Sequence, residues 1–384
     1  MISLDKLYSK YILFTIFFIS ALLRNNLFRN IYGIDSILYG TGLLLFVTQV
    51  KKINLKKLFA TIALFAFLTI NMLRGINNFD VLPSYFNFIG GSFIICLLCL
   101  VVEMPKKQYS NMLKAYIYGT ILACLILIVY YMIPTLNPYD AGSDIRYSVA
   151  GTDPNEFSIL INIALAMVLF TNLFKSTKRI LFTILYLFAI LSTGSRTGFI
   201  CLCILILLTL FISDGSKIKR VISILSICVI GWFIITSYIS DGAAERLLSI
   251  GKNRADLGDE DGLSGRSFIW ADAYRIWNEA SVTEKIIGYG INTFAKMSIF
   301  HLEPHNVFIK VIIECGYIGS FILLIILYKC FRYGWQFHNK ILFFAIYIIF
   351  LMSFTTLSWI YNPTTALIFC ILFLYNTKYL FKNE

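Results

Sequence analysis

The sequence predicts an all-α, polytopic membrane protein with about twelve transmembrane helices and a large extracytoplasmic loop between the ninth and tenth. Three observations lead there. Mean hydropathy is +0.77, and only 14% of residues are charged, against about 25% in soluble domains. Apolar runs of membrane length recur along the whole chain with short connections. The basic residues alternate from one set of connections to the next. No polar stretch is long enough to bury a core of its own, so residues 1–384 form a single integral membrane domain with the 240–304 loop inserted in it.

The apolar runs lie near 7–23, 34–50, 58–73, 86–102, 112–133, 157–174, 179–193, 198–213, 218–239, 306–327, 340–356 and 363–380. Several are shorter than the roughly 20 residues of a perpendicular span, so their ends are soft by a few residues. The first has Lys6 and Lys10 before it, as a signal peptide would. No small-x-small cleavage site follows, and Arg24 and Arg29 come next, so it is read as a helix.

Orientation follows from the lysines and arginines of the short loops. Twenty of them, from Lys6 and Lys10 through Lys51, Lys106, Lys175, Lys217 and Lys329 to Lys378 and Lys382, fall on one side in strict alternation. The short loops opposite hold five: Arg24, Arg29, Arg74, Arg146 and Arg196. Both termini are therefore expected in the cytoplasm and the 240–304 loop outside. The net charge of +12 is then a topology signal and not a nucleic-acid footprint.

The outer side is richer in turn formers and acids. In the 134–156 loop, Asp153 or Asn155 is placed to cap the sixth helix. The seventh and eighth helices meet in Ser192-Thr-Gly-Ser-Arg-Thr-Gly198, a tight turn framed by glycines. Within the long loop, Ile269, Ala273, Ile276 and Ala280 make one helical stripe flanked by Trp270 and Trp277. A helix of this kind suits the membrane interface. No inverted repeat of the kind seen in transporters is present.

Several groups have the right chemistry for a site at that outer surface. His305 follows Pro304 at the mouth of the tenth helix, with Asn306 beside it; it is either a proton acceptor or an interfacial histidine capping the helix. Arg196 in the Gly-Ser turn and Arg266 at the start of the amphipathic stretch carry guanidinium forks suited to a diphosphate. Snorkelling to lipid headgroups, or pairing with an outer acid, is the alternative for each arginine. Asn306, Lys310 and Glu314 share one face of the tenth helix, where Lys310 and Glu314 can neutralise each other; Glu314 is a second candidate acid or base.

Metal chemistry finds little support. The run Asp256, Asp259, Glu260, Asp261 lacks the spacing of an EF-hand, whose ligands would fall on Leu257 and Phe268, and reads as a solvated acidic loop. All nine cysteines lie in apolar segments, including the Cys96-x-x-Cys99 pair, so neither a disulfide framework nor a zinc site is indicated. There is no phosphate-binding glycine loop for a nucleotide. No metal and no cofactor are expected.

Taken together, these residues resemble the O-antigen ligase and O-antigen polymerase superfamily. The resemblance rests on twelve helices, the loop between the ninth and tenth, and His305-Asn306 followed by nine residues and Gly316-Tyr-Ile-Gly319. Further matches are Gly151-Thr-Asp-Pro-Asn155, Thr193-Gly-Ser-Arg196, Gly265-Arg266 with Trp270, and Gly288-Tyr-Gly290. By motif it covers roughly 145–320. It implies metal-independent transfer of a glycan from an undecaprenyl-diphosphate carrier to an acceptor, with inversion, at the outer face of the bacterial cytoplasmic membrane. It also implies that Arg196 and Arg266 hold the donor diphosphate and that His305 is the base, with Asn306, Glu314 and Arg146 as candidate supporting residues. The implied partners are the lipid-linked oligosaccharide, an acceptor glycan or glycolipid and membrane lipids, with a chain-length regulator as a further candidate.

Polymerase of repeat units is the first reading, and ligase onto lipid A–core or a related anchor is the alternative. A transporter of lipid-linked oligosaccharides is the alternative from another class. Transporters place charges in the middle of several helices; here the helix interiors are nearly uncharged apart from Lys310 and Glu314. The topology is open to direct test. Reporter fusions at Ser216 and Asp259 are expected to report opposite compartments, and two reports from one side would overturn the arrangement.

Overall fold

The computed structural model describes residues 55–79, 106–136, 147–149, 153–212, 266–335 and 339–358. Every regular element among them is helical. These are α1 (Leu55–Phe79), α2 (Lys106–Met132), α3 (Pro154–Phe170), α4 (Ser176–Ser192), α5 (Arg196–Ile212), α6 (Arg266–Glu279), the short α7 (Val282–Ile287) and α8 (Phe294–Met297), α9 (Val307–Gly334) and α10 (Lys340–Phe354). A 3₁₀ turn, Pro134–Leu136, follows α2.

Seven of the twelve expected spans thus appear as helices: the third, the fifth to eighth, the tenth and the eleventh. The others lie outside the described residues, as do Arg146, the 256–261 acidic run and the Cys96–Cys99 pair. The segments 113–132 and 307–332 are long and apolar enough to cross a membrane, and α3, α5 and α10 are shorter apolar helices. Helix ends differ from the apolar runs by up to seven residues; α2 begins at Lys106, because helical hydrogen bonding continues through polar residues that hydropathy excludes.

The core is organised around α3. It is apolar on every side and buried from Glu156 to Val168, as expected of a helix enclosed by others. Helices α2, α4, α5 and α10 surround it. Its contact with α5 is close: a Cβ on Gly198 would lie 2.5 Å from Ser158 Oγ. Asn162 crosses that contact, donating to the Ser158 and Gly198 carbonyls at 2.8 and 3.0 Å. On the other flank Tyr116 donates to the Leu160 carbonyl and Tyr186 to that of Ile117. These bonds satisfy polar groups that would otherwise be costly to bury.

The outward faces are apolar instead. Tyr118, Leu122, Leu125 and Val129 on α2, and Tyr317, Phe321, Leu324 and Tyr328 on α9, are exposed at helical spacing. Surfaces of this kind are at home in lipid and unsuited to water.

Helix α9 is broken. Gly316 has φ +63° and ψ −164°, far from helical values. In an unbroken helix the carbonyls of Ile313 and Glu314 would bond to amides four residues on. Here they accept the Tyr289 and Gly290 amides at 3.0 and 2.9 Å. The strap Gly288-Tyr-Gly290 therefore lies directly on the break. A Cβ on Gly288 would sit 2.2 Å from the Glu314 carbonyl oxygen, and one on Gly316 would sit 2.5 Å from the Ile286 carbonyl. The strap also reaches α1, where Ile291 N donates to the Asn71 carbonyl at 3.2 Å.

Gly316 should therefore tolerate no side chain. Gly316→Ala combines a left-handed backbone with a backbone clash, a loss of about 2–4 kcal/mol. A thermal unfolding midpoint in detergent well below that of the parent is expected; an unchanged midpoint would mean that α9 can run straight through residue 316.

Candidate active site

The N-terminal ends of four helices supply the candidate residues, and three of those starts carry a side-chain cap. Asp153 caps α3: its Oδ1 accepts the amides of Asn155 at 2.7 Å and Glu156 at 3.4 Å. Of the two caps that the sequence allowed, Asp153 is the one used. Asn155 instead accepts a hydrogen bond at 2.9 Å from Ser195 Oγ. Ser195 in turn caps α5, its hydroxyl accepting the Gly198 amide at 3.1 Å. The turn before it depends on Gly194, at φ +59°. Arg196 is thus the first residue of α5, delivered to the end of α3 that carries Asp153 and Asn155.

Arg266 is the first residue of α6. The predicted stripe is present, but it faces protein and not lipid. Ile269, Ala273 and Ile276 pack with Phe294 and with Ile313 of α9. Two polar ties join α6 to the segment 298–304. The buried carboxylate of Asp272 accepts the Ile299 amide at 2.9 Å and is paired with Arg275 at 2.8 Å. Burial alone would raise that carboxyl, but hydrogen bonds from Ser298, Arg275 and Ile299 outweigh it and hold Asp272 below the ordinary carboxylate range. The second tie runs from Trp270 Nε1 to the Pro304 carbonyl, at 2.9 Å.

His305 follows at once. It is half-buried, and its φ of +48° is left-handed, as are His301 at +52° and Asn292 at +60°. Residues other than glycine hold this conformation only where their surroundings impose it, and such positions gather at functional sites. Asn306 is the cap of α9, accepting the Phe308 amide at 2.9 Å and the Ile309 amide at 3.2 Å. One turn on, Lys310 and Glu314 are both buried. Their separation is 3.8 Å, while Lys310 Nζ lies only 2.6 Å from Glu303. The pair foreseen on the helix face is thus a Glu303–Lys310–Glu314 triad. Glu314 Oε1 also accepts the Phe294 amide at 3.3 Å, and its Oε2 is buried with no hydrogen-bond partner.

Electrostatics shows what surrounds the imidazole. Burial lowers the pKa of His305 from the usual 6.5, and the cations Arg266 and Lys310 lower it too, while the carboxylates of Asp153 and Glu303 act in the opposite sense. Arg266, Asp153 and His305, far apart in sequence, therefore share one electrostatic environment. Arg196 stands at the same end of α3 through the Ser195–Asn155 bond. Arg146 lies outside the described residues.

Placing arginine first in a helix contravenes a local rule, because the helix dipole favours anions at N-termini and cations at C-termini. Arg196 and Arg266 add positive charge to helix ends that are already positive. The combination suits a phosphate-bearing ligand. Among the described residues no cluster of three metal-ligating side chains occurs.

Residues 181–324 match the family model described as O-Antigen ligase. Over this part of its length the chain is similar to the O-antigen ligase family. A search of curated proteins finds no match. The resemblance drawn from the motifs is borne out over those residues. The family is one of polytopic membrane enzymes that transfer lipid-linked glycans. The matched span holds Arg196, Arg266, His305, Asn306 and Glu314; Asp153 and Arg146 precede it.

Asp153 entered the sequence reading as a helix cap, and Glu303 did not enter it. A charged residue two positions before His305 was the available signal, but a seven-residue reach to Lys310 across a proline-containing bend cannot be read from spacing. The burial of His305 is directly testable. Histidine-selective NMR should show its imidazole titrating below 6.5, and Arg266→Gln should move the midpoint upward by removing a repelling cation. A midpoint above 6.5, or one that Arg266→Gln leaves in place, would contradict this arrangement.

Proposed function

We propose that this chain is a polymerase of cell-surface polysaccharide repeat units. It transfers an undecaprenyl-diphosphate-linked glycan to an acceptor sugar hydroxyl at the outer face of the bacterial cytoplasmic membrane. The observation that carries the reading is a half-buried, left-handed His305 whose bend is tied to α6 by Trp270 through the Pro304 carbonyl, with its pKa lowered by burial and by an arginine at a helix N-terminus, Arg266. A second such arginine, Arg196, stands at the adjoining end of α3.

In this reading Arg196 and Arg266 hold the donor diphosphate and neutralise the charge that grows on it as it leaves. The acceptor hydroxyl oxygen attacks the anomeric carbon from the face opposite the phosphate. A new C–O glycosidic bond forms, the bond from carbon to phosphate oxygen breaks, and configuration inverts. The electron pair leaves with the lipid diphosphate, and the hydroxyl proton passes to neutral His305. Imidazolium beside Arg266 is then stabilised by the carboxylates of Asp153 and Glu303. Asn306, by capping α9, fixes the helix end next to His305, and Glu314 is the alternative base. Guanidinium groups supply the charge neutralisation, so transfer proceeds without a divalent ion or cofactor. Both termini are cytoplasmic in this scheme, and no nucleic acid takes part. The name of the matched family favours a second reading, ligation of the glycan to lipid A–core or a related anchor.

One experiment separates these readings. Purified protein is given an undecaprenyl-diphosphate repeat unit in excess EDTA, first alone and then with a candidate lipid anchor. A ladder of products without the anchor is expected. A single product formed only with the anchor would establish a ligase. Movement across liposomes with no covalent product would establish a transporter, and full loss in EDTA restored by magnesium would bring in a metal. His305→Ala should lower transfer by about 10²–10⁴-fold. Arg196→Lys should lower it by about a hundredfold despite the conserved charge, because an ammonium lacks the fork; near-normal turnover would leave Arg196 a headgroup contact only.

A further inference from the structure

The Glu303–Lys310 pair has no role in the scheme above beyond its charge, and its geometry is unusual. Lys310 is 3% exposed, and its ammonium lies 2.6 Å from Glu303 and 3.8 Å from Glu314. Burying an ion pair gains little stability over an apolar pair of similar size. The pair closes a ring over Pro304, His305, Asn306 and the first turn of α9. That ring contains the left-handed His305, a conformation the surroundings must impose. The same bend is also held by Trp270 through the Pro304 carbonyl.

We propose that Glu303 and Lys310 are a positioning pair for His305, pinning its bend to α9 and balancing the charge behind the imidazole. The role assigned to His305 rests on the function proposed above; the pinning itself does not. Charged groups reach the imidazole from each side. Arg266 acts from α6, Asp153 from the start of α3, and Glu303 and Lys310 from its own segment, with Glu314 behind Lys310. Removing one member of the pair shifts this balance in a known direction. Glu303→Gln takes away a carboxylate and disfavours imidazolium. Lys310→Met takes away a cation and favours it.

The test reads His305 by histidine-selective NMR in the full-length protein, where only three histidines are present and His305→Ala assigns the signal. Glu303→Gln should move the His305 titration down and Lys310→Met should move it up. The double variant should bring it back towards the parent. With the lipid-linked repeat unit, each single variant should transfer about a hundredfold more slowly, the loss expected of a reacting group displaced by about 1 Å. The double variant should be no worse than the poorer single. Glu303→Asp, which keeps the charge, should recover part of the loss. Glu303 is partly exposed, so Glu303→Gln remains informative even where Lys310→Met fails to fold. A His305 titration that Glu303→Gln leaves in place, with normal transfer, would overturn the proposal. Opposite titration shifts in a protein whose parent transfers no glycan would uphold the pair and overturn the proposed function instead.

Discussion

A helix broken in an apolar setting must find new partners for the backbone groups that it releases, because no water is at hand to take them. At Gly316 that requirement is met by one short strap, whose Tyr289 and Gly290 amides bond to the Ile313 and Glu314 carbonyls. Several elements around the candidate site hang from this junction. The strap fixes α7 against α9 and joins both to α1 at Asn71. It also brings Phe294 into the small core that α6 forms with Ile313. Arg266, at the head of α6, is thereby held in a constant relation to the mouth of α9, where His305 stands. Glycines at 288 and 316 are demanded by contact, since backbone occupies the space a Cβ would need.

The charges are arranged against the same background. Two arginines start helices, where the dipole is already positive, and a lysine is buried one turn inside α9. Each choice costs stability locally. The carboxylates of Asp153, Glu303 and Glu314 compensate in part, while Asp272 is occupied in holding the segment that leads to His305. The result is an imidazole whose pKa is lowered by burial and by nearby cations, with the carboxylates of Asp153 and Glu303 acting in the opposite sense.

Much of this was legible beforehand. Apolar runs of membrane length located α1 to α5, α9 and α10, because lipid solvation demands length and composition that few other settings do. The stripe Ile269, Ala273, Ile276 located α6 by its period, though period alone cannot say whether the apolar face meets lipid or protein; Phe294 and Ile313 settle that. Short polar signals worked where the chemistry was local: Asp153 two residues before its amide partner, Gly194 in its turn.

What the amino-acid order determined unaided is the long apolar helices, the amphipathic α6 and the residue types able to handle a diphosphate and a proton, because hydropathy, helical period and side-chain chemistry act over a few residues. Tertiary structure decided the pairings. Lys310 takes Glu303 at 2.6 Å ahead of Glu314 at 3.8 Å because the bend at Pro304 folds the one back over α9. Asn155 leaves the capping role to Asp153 and bonds Ser195, forty residues away, because Gly198 lets α5 press against α3. Distances between elements follow from packing, and packing depends on every contact at once.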